Sequence, residues 1–168
     1  FDPEAVSQMI AAGVGNMVTV SLGGRLHMDA LEEQSSPLEV TGRVRLITDG
    51  EFTITGPMGS GGKASMGNSV LLDTGNVQII VISRHTEPFD LGCFHSMGID
   101  PLKKKYLMLK SRIHYRAAYR TIAKKIIECA GCGVCTSDYD QLTFEHVRRP
   151  IYPLDNVNSW DLEQTLYT

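Results

Sequence analysis

A short stretch at residues 110–117, Lys-Ser-Arg-Ile-His-Tyr-Arg-Ala, concentrates side chains that can do chemistry. It follows the apolar run 106–109 directly. Polar groups between the end of a buried strand and the start of a helix commonly form a site in α/β proteins. His114 lies one turn beyond Lys110 and Ser111 at the predicted helix start, where the helix dipole disfavours an imidazolium. We therefore expect a neutral His114 that can act as a base or as a hydrogen-bond donor.

Three cysteines form a second candidate site. Cys129, Cys132 and Cys135 have the C-x2-C-x2-C spacing of an iron–sulfur centre, but such a centre needs four thiolates. Cys93 supplies the fourth only if the fold brings it close, and His114 or His146 could instead complete a zinc site. The alternative is a plain turn after a helix end, because glycines separate the cysteines. We favour the turn.

The basic residues are unevenly distributed along the chain. Residues 103–125 contain nine of the 16 lysines and arginines and no acidic residue, which leaves 7 basic and 19 acidic residues elsewhere. Such asymmetry can mark an anion-binding or interaction surface, which is our alternative function for this chain. It can also be a solvated helix face, or a surface that meets an acidic partner domain. Aromatic residues are too sparse among the basic ones for stacking on single-stranded nucleic acid.

The overall composition is that of an ordinary globular domain. The chain has 168 residues, of which 42% are hydrophobic and 21% charged, and its net charge is −3. We therefore expect neither nucleic acid nor a membrane as a partner. The four cysteines are not spaced like a disulfide framework, and this favours a cytoplasmic location. The chain starts with Phe1 rather than Met, so we expect it to be part of a longer protein.

Local patterns predict the elements that must position these groups. Asp2 and Pro3 form a typical helix start, and the helix is expected to end at Gly13. A short helix is expected around residues 88–97, a long one over 111–128, and a further short one from Ser159. Strands are predicted at 18–22, 38–48, 51–55, 69–73, 77–83 and 106–109.

Turn residues connect two pairs of these strands. Asp49-Gly50 predicts a hairpin between strands 38–48 and 51–55, and 74–76 predicts another between 69–73 and 77–83. Residues 56–67 are expected to be a glycine-rich loop, and strand 77–83 is expected to be central because both its faces are apolar. The combination predicts a single α/β domain, residues 1–168, with a mixed sheet built from hairpins and a strand–helix unit.

Several segments together resemble a known family, the C-terminal domain of the MlrC (microcystinase C-like) metallopeptidases. The resemblance covers nearly the whole chain, and it departs from the family pattern at the cysteine triplet and at the lysine run 103–105. It rests on the order and spacing of the stretches at residues 2–6, 98–101, 110–117 and 149–155.

The resemblance implies a zinc-dependent hydrolase that cleaves peptides. The zinc would be bound by an N-terminal domain that is absent from this chain, and no metal or other cofactor is expected here. The chain alone would therefore be inactive as a peptidase. Its implied partners are its own N-terminal metal-binding domain and a peptide substrate, with a homodimer also possible.

The resemblance also implies roles for individual residues. Lys110 or Arg116 would hold a substrate carboxylate or stabilise the oxyanion. His114 would orient the substrate or donate a proton to the leaving amine. Alternatively, these residues form an interdomain or dimer interface without catalytic duty.

Four further residues take supporting roles in this interpretation. Ser111 would cap the helix rather than attack substrate. Arg84 and Arg149 would make substrate contacts or interdomain salt links, and Asp155 would orient either arginine.

Overall fold

The computed structural model describes residues 1–31, 35–129, 131 and 135–156. The chain divides into two compact units, each described here by itself. The first comprises Phe1–Leu26 and Ser35–Glu128, and the second comprises His27–Gln34 and Cys129–Thr168. The predicted helix from Ser159 lies outside the described residues. No helix of the described part is long and apolar enough to cross a membrane.

Helix α1, Pro3–Ala12, forms where the sequence predicts it. The Asp2 carboxylate accepts a hydrogen bond of 2.9 Å from the Ala5 N–H, which satisfies one of the free donors of the first turn. The helix ends at Gly13, whose φ of 80° ends the regular hydrogen bonding. Its buried residues are Ala5, Val6 and Met9.

In the part of the chain that the structure describes, six strands build two antiparallel sheets. They are β1 (Met17–Leu22), β2 (Leu38–Thr48), β3 (Glu51–Thr53), β4 (Lys63–Ser65), β5 (Ser69–Asp73) and β6 (Gln78–Ile82). The larger sheet has the order β1-β2-β5-β6, and the smaller one pairs β3 with β4. The predicted α/β class is confirmed. Every strand pairing in the described part of the chain is antiparallel, so the parallel component of the predicted mixed sheet is not found there.

The turn at Asp49-Gly50 does not form the predicted hairpin. It links β2 to β3, but β2 pairs with β1 and β5, whereas β3 pairs with β4 inside the predicted glycine-rich loop. Gly50 has a φ of 70°, and a Cβ there would lie 2.1 Å from the Gly67 carbonyl oxygen. The chain therefore uses this glycine to pass from one sheet to the other. The β5–β6 hairpin is confirmed.

The central, fully covered strand is β5 rather than the predicted β6, which lies at the end of the strand order. Val70 and Leu72 pack with α1 in one core cluster, while Leu71 packs on the other sheet face with Phe52 and Met97. Successive side chains of a strand point to opposite faces, so β5 separates two hydrophobic layers. The second layer is closed by α2, Gly92–His95, which lies within the predicted helix at 88–97.

The predicted strand–helix unit at residues 106–128 is mostly wrong. Residues 104–110 belong to no helix and no β-ladder of the described chain, and within residues 106–128 only α3, Arg116–Tyr119, is an α-helix. Arg112, Arg116, Arg120 and Lys124 would place like charges at three successive i,i+4 pairs of a longer helix. Each such pair costs about 0.2–0.5 kcal/mol, and no acidic residue within 103–125 compensates. The predicted apolar face is also covered only in part, because Ile126 at its end is 38% exposed.

Two short 3-10 turns complete the described elements, Pro101–Lys103 in the first unit and Tyr139–Gln141 in the second. In the second unit Leu31 forms an isolated antiparallel bridge with Leu142. The aromatic rings of Tyr139 and Phe144 lie 6.5 Å apart. This unit therefore has local packing but no regular sheet among its described residues.

Candidate functional site

Glu87 organises the loop that contains most of the predicted site residues. Its carboxylate accepts hydrogen bonds from the Ser111 hydroxyl and, at 3.1 Å, from the Arg112 backbone N–H. The Nδ1 atom of His114 lies 2.7 Å from the other carboxylate oxygen. Partial burial works to raise the pKa of Glu87, but the hydrogen bonds from His114 and Ser111 outweigh it and hold the pKa below its usual range.

The position of His114 differs from the prediction. α3 begins only at Arg116, so His114 does not lie at the start of a long helix, and its charged neighbour is the Glu87 carboxylate. The contact becomes an ion pair whenever the imidazole is protonated. The dipole argument for a neutral His114 therefore has no basis in this structure. Sequence reasoning missed Glu87, which lies 27 residues away from His114.

Core contacts anchor the loop on its other side. The Tyr115 N–H donates to the Ser111 hydroxyl oxygen at 3.3 Å, but α3 begins at Arg116 without a side-chain cap, so this contact is not the helix cap that was predicted for Ser111. Tyr115 is 9% exposed and belongs to a small hydrophobic cluster with Ala118 and Tyr119. Ser111 thus connects a buried aromatic residue to the Glu87 carboxylate.

Arg116 is paired in this chain. Its guanidinium donates to a carboxylate oxygen of Glu128, which also accepts a 3.3 Å hydrogen bond from the Tyr115 hydroxyl. The contacts with Tyr115 and Glu128 raise the pKa of Arg116, and Arg116 lowers the pKa of Glu128. Both side chains are about half exposed. A substrate carboxylate at Arg116 would therefore compete with Glu128.

Asp90 is a buried carboxylate that sequence analysis did not single out. It is 1% exposed and accepts hydrogen bonds from the Gly56 N–H at 2.6 Å and the Gly92 N–H at 2.7 Å. Thr55 adds two more through its backbone N–H and its hydroxyl, both at 3.3 Å. A Cβ at Gly56 would lie 2.7 Å from the carboxylate, so glycine permits the close approach.

The backbone of Asp90 extends this network to α3. Its carbonyl oxygen accepts a 2.9 Å hydrogen bond from the buried Tyr119 hydroxyl. Burial raises the pKa of Tyr119 well above its usual range, so the hydroxyl remains a donor. Asp90 therefore joins the segment after β3, the start of α2 and the helix that follows the candidate site.

The remaining predicted residues are distributed over both units. Lys110 is exposed, and no carboxylate of the described chain lies within ion-pair distance of it. Arg84 is exposed in the first unit, where its backbone N–H donates to the Met66 carbonyl oxygen. In the second unit Arg149 donates to Asp155 at 2.6 and 2.5 Å. Asp155 thus contacts one of the two arginines considered for it, and its role in a site stays a prediction.

The described residues contain no group of three or more His, Cys, Asp or Glu side chains that could hold a metal ion. Cys129 and Cys135 are free thiols at the surface, whereas Cys132 lies outside the described residues. The cysteine-cluster hypothesis thus falls partly outside the described chain. The structure brings together Lys110, Ser111 and His114 on one loop beside Glu87, with Arg116 on the following helical turn.

Comparison with known proteins gives this geometry its context. The structure superposes on a crystal structure of a "putative metallopeptidase" from Mesorhizobium sp. BNC1 with a TM-score of 0.81 and 27% sequence identity. The match covers 95% of this chain and 31% of that one. The fold is therefore shared with a domain-sized part of a larger protein of that description.

Sequence comparison identifies a relative and a family. Microcystinase C of Sphingomonas sp. is 25% identical over 158 residues, which are 94% of this chain and 29% of the relative. The family model described as MlrC C-terminus matches residues 1–146. The chain belongs to this family, and it spans about a third of the length of the relatives that it matches.

Proposed function

We propose that this chain is the C-terminal domain of an MlrC-like zinc metallopeptidase that hydrolyses peptides. In this proposal residues 1–168 form one domain that helps to build the substrate cleft and the interdomain interface. The observation that supports it best is the family match over residues 1–146. The likeness of the fold to one part of a putative metallopeptidase agrees with it.

The zinc would be held by the N-terminal domain of the parent protein. A zinc ion with an open coordination position supplies an activated water and polarises the scissile carbonyl. The residues of this chain would act on the substrate from the other side of the cleft. We propose a cytoplasmic location for the parent, with the N-terminal domain and a peptide as its partners and a homodimer as its possible assembly.

Of the predicted cations, Lys110 is the most available to bind a substrate carboxylate or an oxyanion. It is exposed and has no carboxylate partner in the described chain, whereas Arg116 already pairs with Glu128. His114 has its Nδ1 atom engaged by Glu87, which leaves the opposite ring nitrogen to orient the substrate or protonate the leaving amine. Arg84, Arg149 and Asp155 remain candidates for substrate or interdomain contacts.

The test uses the full-length parent protein beside this chain. Zinc content and the cleavage of linear peptides are measured for both. We expect stoichiometric zinc and activity in the parent, with neither in the chain alone. Lys110→Ala and His114→Ala in the parent should each lower kcat/KM by about 10- to 100-fold with zinc retained. Glu39→Ala, an exposed change on β2, is the control. Full activity of both variants would refute the assigned roles.

The alternative is a non-catalytic anion-binding or interaction module. Its support is the exposed basic stretch 103–125, which contains no acidic residue. Such a module would bind a polyanion such as heparin with an affinity that falls steeply between 50 and 200 mM salt. Salt-independent or absent binding would remove this alternative, while zinc-dependent peptidase activity of the parent would favour the first proposal.

A further inference from the structure

The segment that precedes the candidate site, residues 104–110, has no regular secondary structure and has one open side. Its exposure alternates along the sequence, because Tyr106 and Met108 are 82% and 98% exposed. The alternate residues Leu107 and Leu109 pack against the small cluster around Tyr115. This is the period of a β-strand that has one face on a core and the other uncovered.

The backbone of this segment is also unpaired. In the described part of the chain, residues 105–110 make no backbone–backbone hydrogen bond. A row of free N–H and C=O groups beside exposed apolar side chains is a template for pairing with another strand. The segment is held in place at its start, where the Lys104 ammonium donates at 2.6 Å to the side chain of Gln78 at the beginning of β6.

Charge and continuity indicate what kind of surface would cover the segment. Lys103, Lys104, Lys105 and Lys110 are all exposed, and the nearest acidic residues in sequence are Asp100 and Glu128. A covering surface with carboxylates would therefore be favoured. The segment also leads directly into the candidate site, so whatever docks on it comes to lie beside that site.

We propose that residues 104–110 are a docking strand for the N-terminal part of the parent protein. An acidic strand edge of that part would pair with their free backbone and cover Tyr106 and Met108. The family model describes a C-terminus, and the relatives are about three times as long as this chain, so they contain further chain outside the matched part. This inference rests on the proposed function for the existence of the metal domain, and it specifies where that domain binds.

Oxidative footprinting of the full-length protein with hydrogen peroxide tests the docking strand without relying on activity. Met17 and Met58 are 56% and 42% exposed and serve as internal references. On exposure alone Met108 would oxidise fastest. We expect it to oxidise at least about 10-fold more slowly than Met17 in the parent, as read from peptide masses. Equal or faster oxidation of Met108 would overturn the proposal.

A matched pair of variants identifies the occupant. Met108→Asp places a carboxylate against the acidic partner edge and should speed amide exchange of residues 105–110 in the parent by about 10-fold or more, whereas Met17→Asp should not. Protection of Met108 that disappears on dilution, together with a dimer-to-monomer change in mass, would overturn the proposal in favour of a second copy. Protection in a parent without zinc or peptidase activity would support the docking strand while the proposed function failed.

Discussion

Replacement of Asp90 by alanine should be among the most damaging single changes in this domain. The carboxylate is almost completely buried and accepts four hydrogen bonds from Thr55, Gly56 and Gly92, three of which come from backbone N–H groups. Asp90→Ala leaves these donors inside the protein without an acceptor. No lysine or arginine of the described chain lies within ion-pair distance of Asp90, so the loss comes from hydrogen bonding.

The magnitude follows from the number and kind of bonds. Hydrogen bonds to a charged group contribute about 1.5–3 kcal/mol each, and bonds to one carboxylate are not additive. The two at 2.6 and 2.7 Å carry most of the effect. We expect Asp90→Ala to lower the free energy of unfolding by about 3–5 kcal/mol, a large part of the 5–15 kcal/mol typical of a domain. Asp90→Asn, which keeps one acceptor oxygen, should cost about 2–3 kcal/mol.

Urea unfolding followed by circular dichroism measures these differences. Asp49→Ala is the matched control, because the Asp49 carboxylate accepts a single exposed hydrogen bond of 3.0 Å from the Glu51 N–H. It should cost no more than about 1 kcal/mol. A loss below 1 kcal/mol for Asp90→Ala, or equal losses at Asp90 and Asp49, would refute the assignment of Asp90 as the organiser of these segments.

The same carboxylate should make stability depend on pH. Burial works to raise the pKa of Asp90, but the hydrogen bonds from Gly92, Gly56 and Thr55 outweigh it and hold the pKa below its usual range. A depressed folded-state pKa contributes stability that is complete above the unfolded value of about 4 and is lost as pH falls through the folded value. Asp90→Asn should therefore weaken the acid dependence of unfolding below pH 4. An unchanged acid limb would contradict this contribution.

Two further predictions concern the loop and the cysteines. Glu87→Ala should speed amide exchange around His114 by about 10-fold, which corresponds to about 1.4 kcal/mol of local stability, while the control Glu39→Ala should not. Hydrogen exchange with mass spectrometry measures this, and unchanged protection would contradict the role of Glu87. Burial raises the pKa of the Cys93 thiol to about 11. At pH 8 Cys93 should therefore react with a thiol reagent at least about 10-fold more slowly than the exposed Cys129. Comparable rates would show that Cys93 is accessible.

The elements that sequence predicted well are those whose signals are local. α1 is specified by Asp2 and Pro3 at its start and Gly13 at its end, and β1, β2 and the β5–β6 hairpin follow from alternation and turn residues. The partner of β2 could not be predicted from the turn at its end. β2 pairs instead with β1 and β5, and that choice is decided by packing between residues far apart in sequence, such as Val70 and Leu72 of β5 with α1.

The prediction of a strand and a long helix over residues 106–128 was wrong for a different reason. Its apolar spacing fits a strand and then a helix, but a pattern states only which residues could share a face and not whether anything covers that face. In the first unit Tyr115, Ala118 and Tyr119 are buried in a hydrophobic cluster, and α3 forms there. Beyond them the like charges at i,i+4 oppose the helix, and Ile126 at the end of the predicted apolar face is 38% exposed.

In the candidate site too, sequence predicts which side chains can do chemistry but not which partners they contact. Sequence could name Lys110, His114 and Arg116 as groups able to bind an anion or move a proton, because those abilities belong to the side chains. It could not show that Glu87 engages His114 or that Glu128 engages Arg116, since these carboxylates lie 27 and 12 residues away. The two contacts change the expected order of importance. A cation already paired with a carboxylate must give up that contact before it binds a substrate, so among the three residues Lys110 should contribute most to binding a negatively charged group.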